Sequence, residues 1–238
     1  MLCLVCSAGT IDPNIADRHY INYGSKFKCI VSVCGKEENG KLYCASGVAI
    51  RPHWILTAAH VIKTAKTCTI KVESVKKIET SNLIPHEKFD SNNFGYYDIG
   101  LIYCDEDLSL DFYPEFYDQQ DEVGKICSMS GYGITGNFST GIITSDNIRR
   151  AGSNRINNID KQLLICNLTD SRTSMEFLIG SGDSGGGLFI NKKLAGINSC
   201  VISVGKSPNS SYGCESGHTR ISQHIEWINK KINNYEKK

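Results

Sequence analysis

The sequence predicts an all-β fold closed by one C-terminal helix. Three observations predict it: hydrophobic runs that are short and rich in β-branched residues, turn-forming clusters between them, and helical periodicity confined to the C-terminal end. In chain order the strand-like runs are residues 28–33 (KCIVSV), 45–50 (ASGVAI), 67–75 (TCTIKVESV), 98–104 (DIGLIYC), 125–130 (KICSMS), 161–166 (KQLLIC), 186–190 (GGLFI) and 194–202 (LAGINSCVI). Val, Ile and Thr suit a pleated, half-buried surface. Turn signals separate the runs, among them Glu38-Asn39-Gly40, Asp90-Ser91-Asn92-Asn93 and Ser207-Pro208-Asn209. About a dozen short strands at this spacing fit a barrel or a sandwich. The helix is predicted over about 222–235, where Ile225, Ile228 and Ile232 recur at helical spacing with Ile221 before them and Trp227 beside them. Ser222 is its expected N-cap. Lys230, Lys231, Lys237 and Lys238 load the end where the helix dipole favours cations.

Composition narrows the function. The 26 Lys and Arg residues against 25 Asp and Glu leave a net charge of +1, too little basic field to hold a polyanion, so nucleic acid is not the expected partner. With 40% hydrophobic and 21% charged residues the chain is globular, not disordered. No apolar run approaches the roughly 18 residues of a membrane span. Residues 105–122 (DEDLSLDFYPEFYDQQDE) are acidic and aromatic with no strand pattern, the best candidate for a linker between two halves. No internal repeat is legible.

The 11 cysteines are an odd number, so at least one thiol stays unpaired within a monomer, and so high a count leans toward an oxidising compartment. Residues 1–8 (MLCLVCSA) are apolar and end in a small residue, like a shortened signal peptide cleaved after Ala8, although a basic n-region is missing. A buried N-terminal strand is the alternative. The expected location is secreted or otherwise extracytoplasmic. Sequons at Asn137, Asn167 and Asn209 are near chance in an Asn-rich chain.

Three segments carry chemistry. LTAAH places His60 after an apolar strand, YYDIGLI places Asp98 at a strand start, and GSGDSGGGLF places Ser184 in a glycine-rich turn before a strand. A serine hydroxyl is a weak nucleophile until a base takes its proton. His60 can do so, because an unperturbed imidazole titrates near ~6.5. Asp98, buried against the other ring nitrogen, would fix the tautomer and stabilise the imidazolium. The N–H groups of Gly182 and Ser184 would point at the developing oxyanion, and the missing side chain at 182 lets the backbone approach.

In the order His, Asp, Ser these segments resemble those of the trypsin/chymotrypsin-like serine peptidases, and the resemblance runs from about Tyr20 to Trp227. TAAH, D-I-x-L-I and GDSGG are the family's three marker segments. SGYG (130–133), LAGINS (194–199) and T-R-I-S followed by I-E-W-I (219–228) resemble further family segments. The resemblance implies two six-stranded antiparallel β-barrels packed at right angles with the site between them and a terminal helix. Here the first barrel would span about 20–115 and the second about 123–222, within one domain over 9–238. It also implies a protein or peptide substrate, no cofactor, no metal and a monomer. His53, His86, His19 and His224 are set aside as structural or surface residues, while His218 lies near the expected pocket wall.

The chain departs from the family pattern in two respects. Family members that need activation expose an Ile or Val N-terminus that pairs with the Asp before the nucleophile, here Asp183. No such motif is present; Ile11 and Ile15 are the nearest candidates, so Asp183 is expected to find another partner. The usual cysteine framework is also missing: Val61, Gly180 and Ile190 stand where family half-cystines are common. Two replacement pairs are reasonable, Cys34 with Cys44 around a hairpin loop and Cys200 with Cys214 around a second-barrel loop. A zinc reading would rest on Cys3-x-x-Cys6 alone.

Counting back from Ser184 by the family's spacing reaches Leu178 at the base of the primary pocket, where an Asp would select Lys or Arg. Ser199 matches the Ser beside the substrate backbone, and Val201 stands where open pockets have Gly. The expectation is cleavage after a small or medium apolar residue. The rival reading is a catalytically silent binding module on the same fold.

Overall fold

The computed structural model describes residues 9–73, 76–144, 146–168, 173–203 and 210–237. Residues 1–8, with Cys3 and Cys6, and Asn209 of the third sequon lie outside them. In chain order the elements are β1 (Thr10–Ile11), α1 (Asp17–Gly24), β2 (Ile30–Glu37), β3 (Leu42–Arg51), β4 (Trp54–Thr57), α2 (Ala59–Ile62), β5 (Ala65–Val72), β6 (Lys76–Thr80), β7 (Leu83–Pro85) and β8 (Gly100–Tyr103). There follow β9 (Ile126–Gly131), β10 (Thr135–Asn137), β11 (Gly141–Thr144), β12 (Arg150–Asp160), β13 (Leu163–Asn167), β14 (Phe177–Leu178), β15 (Gly187–Ile190), β16 (Lys193–Ser203), β17 (Cys214–Arg220) and α3 (Ile225–Glu236).

Two β-layers dominate. The first half forms a seven-stranded antiparallel sheet in the order β6-β5-β2-β3-β4-β8-β7, and the second a closed six-stranded barrel in the order β12-β13-β17-β16-β15-β9. The second half therefore closes as expected of a barrel, while the first curves as an open sheet with one strand more. A small sheet, β11-β10-β1-β14, ties the N-terminal segment to the second half. Between them residues 104–125 carry no helix and only one bridge, Phe116 to Leu194.

All eight predicted runs fall on strands. Strand β12 (RAGSNRINNID) lies outside them, because its buried positions hold Ala151, Gly152 and Asn154 as well as Ile156. Asn154 is tolerated inside because its Nδ2 donates to the Phe177 carbonyl at 3.0 Å. Helix α1 was likewise not expected: only Tyr20 and Gly24 of it are buried. Tertiary bonds hold it, the Arg150 guanidinium gripping both Asp17 carboxylate oxygens at 2.7 Å. The C-terminal helix begins at Ile225, after a 3₁₀ turn over Ile221–Gln223. Ser222 is not its cap; its hydroxyl donates to Glu122 Oε1 at 3.1 Å.

The largest core cluster joins first-sheet residues such as Ile30, Trp54, Ile55 and Leu101 to Phe189, Leu194 and Ile197 of the second barrel and to Ile228 and Ile232 of α3. The terminal helix thus returns to the first sheet, where Trp54 Nε1 donates to Glu236 at 3.0 Å. Cys34 and Cys44 sit opposite each other on β2 and β3 and form a disulfide. The other proposed pair does not form. On the β16–β17 hairpin Cys200 faces Gly217 and Cys214 faces Ser203, too far out of register for a disulfide to span. No helix among the described residues is long and apolar enough to cross a membrane.

Candidate active site

His60 sits on the single-turn helix α2, directly after β4. Asp98 grips it at two points: Oδ1 accepts the His60 backbone N–H at 2.9 Å and Oδ2 accepts Nδ1 at 2.8 Å. Nδ1 therefore carries the proton, and Nε2 is the bare nitrogen of a side chain that is 37% exposed. Asp98 is buried and is itself fixed. Ser199 Oγ donates to its Oδ2 at 2.6 Å, and Thr219 Oγ1 donates to its carbonyl at 2.9 Å. Burial pushes the His60 imidazole toward its neutral form, but the Asp98 charge and hydrogen bond outweigh it and hold the pKa above the ordinary histidine value. Burial pushes Asp98 up, yet His60 and Ser199 bring it net below the usual carboxylate range.

Ser184 lies in the glycine-rich turn between β14 and β15 and is 7% exposed. Gly182 and Gly185 both adopt positive φ, +83° and +84°. A Cβ at Gly185 would stand 2.1 Å from Thr57 Oγ1 and 2.2 Å from the Ser46 carbonyl, so the turn is pressed against β3 and β4. Ser46 clamps it: its N–H donates to the Ser184 carbonyl at 2.9 Å and its Oγ to the Gly182 carbonyl at 2.7 Å. Among the described residues no acceptor takes the N–H of Gly182 or of Ser184. No hydrogen bond joins Ser184 Oγ to His60 Nε2 either, a bond that in ligand-free sites often tightens only with substrate.

Asp183 is buried, and the N–H groups of Gly133 (2.9 Å), Gly180 (3.1 Å) and Gly9 satisfy its carboxylate. No cation among the described residues pairs with it. Burial outweighs these donors and raises its pKa to about 6. Gly9 is tightly seated, since a Cβ there would lie 2.7 Å from Asp183 Oδ2 and 2.3 Å from the Phe177 ring.

The expected specificity residues are placed as follows. Leu178 is buried in a cluster with Phe138 and Cys214, against which Leu168 and Val201 pack. Ser199 falls at the register shift between Asn198 and Cys200, so its backbone leaves the ladder while its side chain holds Asp98. His218 is wholly buried, bonded to Asn198 and Ser216. His224 is not a surface residue; it is 2% exposed and packs edge-on against His86. His86 stacks on Trp227, and His53 bonds the Cys104 carbonyl at 2.9 Å. Ser46, Asn198 and Thr219 were not singled out from the sequence. Each acts on a partner at least 11 residues away, and no local pattern marks it.

A family model described as Trypsin matches residues 18–228. The chain is 30% identical over 207 residues to chymotrypsin of Phaedon cochleariae, covering 78% of this chain and 71% of that protein. It is 26% identical over 213 residues to chymase of Papio hamadryas, covering 81% of this chain and 80% of that one. Among solved structures HL collagenase superposes with a TM-score of 0.70 at 17% identity, covering 88% of this chain and 95% of the other, a likeness of fold.

Proposed function

The chain belongs to the trypsin family, the serine endopeptidases, and from that premise we propose that it is a working peptide hydrolase whose catalytic residues are His60, Asp98 and Ser184. His60 Nε2 takes the Ser184 hydroxyl proton as Oγ attacks the peptide carbonyl, and the charge of Asp98 stabilises the imidazolium that results. The free N–H groups of Gly182 and Ser184 receive the oxyanion; one such donor is worth roughly 3–4 kcal/mol in a well-studied peptidase. His60 then protonates the leaving amine, and water released onto the acyl-enzyme by the same base regenerates Ser184. The observation that carries this reading is the two-point grip of Asp98 on His60, which fixes both ring orientation and tautomer.

For substrate, the proposal is a protein or peptide cut after a small or medium apolar residue. The apolar cluster of Phe138, Leu178 and Cys214, against which Val201 packs, supports it. The Cys34–Cys44 disulfide supports an extracytoplasmic location. The experiment is a fluorophosphonate probe on the purified chain beside Ser184→Ala, read by intact mass. A single adduct that depends on Ser184 is expected. No adduct on the full chain or on one beginning at Gly9 would overturn the enzyme and favour the silent binding module, a reading to which the unbonded Ser184–His60 pair lends its one observation.

A further inference from the structure

We propose that Asn198 and His218 are positioning residues, a buried hydrogen-bonded chain that fixes the nucleophile turn from beneath. The inference rests on the peptidase reading and adds two residues to it. Asn198 and His218 are both fully buried, and neither belongs to the His60–Asp98–Ser184 set.

Asn198 bonds the turn through three of its four polar groups. Its N–H donates to the Gly186 carbonyl at 2.8 Å and its own carbonyl accepts the Gly185 N–H at 2.7 Å. Its Nδ2 lies 3.2 Å from two carbonyl oxygens, those of Asp183 and Ser130. Carbonyls only accept, so the amide must present its NH₂ there and its Oδ1 on the other side. That side faces His218 Nδ1 at 2.9 Å, which must then carry the ring proton. Nε2 is left a bare acceptor, and the Ser216 hydroxyl 3.0 Å away donates to it in preference to the Cys166 carbonyl at 3.3 Å. Direction is thereby fixed along the whole chain: Ser216 to His218, His218 to Asn198, Asn198 to the carbonyls of Asp183 and Ser130.

Burial keeps this direction constant. Desolvation lowers the His218 pKa to about 3, so the ring stays neutral and the tautomer does not change through the working range. The end of the chain is the peptide that joins Asp183 to Ser184, whose N–H is one of the two free donors. Holding the Asp183 carbonyl on Asn198 holds that N–H pointed the opposite way, into the site, because carbonyl and N–H of one trans peptide are antiparallel. Ser46 grips the neighbouring carbonyls from the first sheet, so the turn is clamped from both sides.

The test compares Asn198→Val, His218→Phe, their double variant and Asn198→Asp with the parent chain, by fluorophosphonate labelling rate and by kcat and KM on a peptide ester. Each of the first two is expected to lose roughly 10–100-fold in kcat and labelling rate with KM changed far less, as small misplacements near a reacting centre do. The double variant should be no worse than the poorer single, because the two residues act in series. Asn198→Asp sets a carboxylate against two carbonyls; on protonation it regains a donor, so its activity relative to the parent should rise as pH falls from 8 to 5.5. Variants that melt lower yet keep the parent's kcat, or losses that multiply in the double, would overturn the positioning role. If the buried Val or Phe fails to fold, a flat Asn198→Asp ratio overturns it alone. A parent that does not label overturns the peptidase reading and this one with it, and is told apart because no variant is needed to see it.

Discussion

The role proposed for Asp98 rests on geometry rather than on charge alone. One oxygen holds the His60 backbone and the other shares Nδ1 and Ser199 Oγ, so the imidazole can neither rotate nor exchange tautomers cheaply. Asp98→Asn is expected to lower kcat by about 10⁴, the size found for the same change in a template triad. A second consequence follows for pH. His60 must be neutral to accept a proton, so activity falls as pH drops through its raised pKa. Asp98→Asn removes the charge that raises it and leaves burial, so the acid limb of the residual kcat/KM profile should move to lower pH. An unmoved limb would mean that His60 is not the titrating group. Asp183 shows the reverse linkage: its folded pKa, about 6, is above its unfolded value, so the folded state binds the proton more tightly. The contribution of Asp183 to stability is then greatest below about pH 4, falls as pH rises to about 6 and stays level above, a loss of about 3 kcal/mol. Urea midpoints of the parent and Asp183→Asn across this range check it; the difference between the two should carry this slope. A chain beginning at Gly9 would set an α-ammonium where the Gly9 N–H now lies, which lowers the Asp183 pKa and shrinks or reverses the slope.

Among elements, the β2–β3 hairpin links stability to the site. Cys34 and Cys44 close it ten residues apart, and β3 continues to Ser46, which clamps the Gly182 and Ser184 carbonyls. Closing a loop of this length constrains the unfolded chain by about 3 kcal/mol in the entropy model. Replacing both cysteines with Ala should lower the urea-derived stability by that order, and an unchanged midpoint would show that the bond is dispensable. Helix α1 and strand β12 make the opposite point about legibility. Neither shows an apolar period, because α1 buries only Tyr20 and Gly24 and β12 buries Gly, Ala and a bonded Asn. Their conformations are imposed by partners, Arg150 on Asp17 and Asn154 on Phe177, so no local pattern could announce them.

For the whole molecule the two halves are one packing unit. Phe189, Leu194 and Ile197 of the closed barrel share a core with the first sheet, and α3 completes that core from the far end of the chain. A buried ion pair reinforces the junction: Arg220, at the end of β17, donates twice at 2.7 Å to Glu122, at the end of the segment between the halves. Glu122→Gln should cost about 3–5 kcal/mol by leaving the guanidinium charge buried and uncompensated, measurable by thermal melts. An unchanged melt would show that water reaches the pair. At this scale the sequence by itself determined the all-β class, the positions of the main strands and the terminal helix, and it marked His60, Asp98 and Ser184 as candidates, because apolar alternation and short glycine-rich motifs are local and survive in one dimension. Only the tertiary structure decided the open first sheet, the register that separates Cys200 from Cys214, the burial of His224, the seat of Gly9 on Asp183, and the clamps of Ser46, Asn198 and His218. Each of those depends on contacts between segments far apart in the chain, where burial and hydrogen-bond direction are set by neighbours that no local pattern of residues contains.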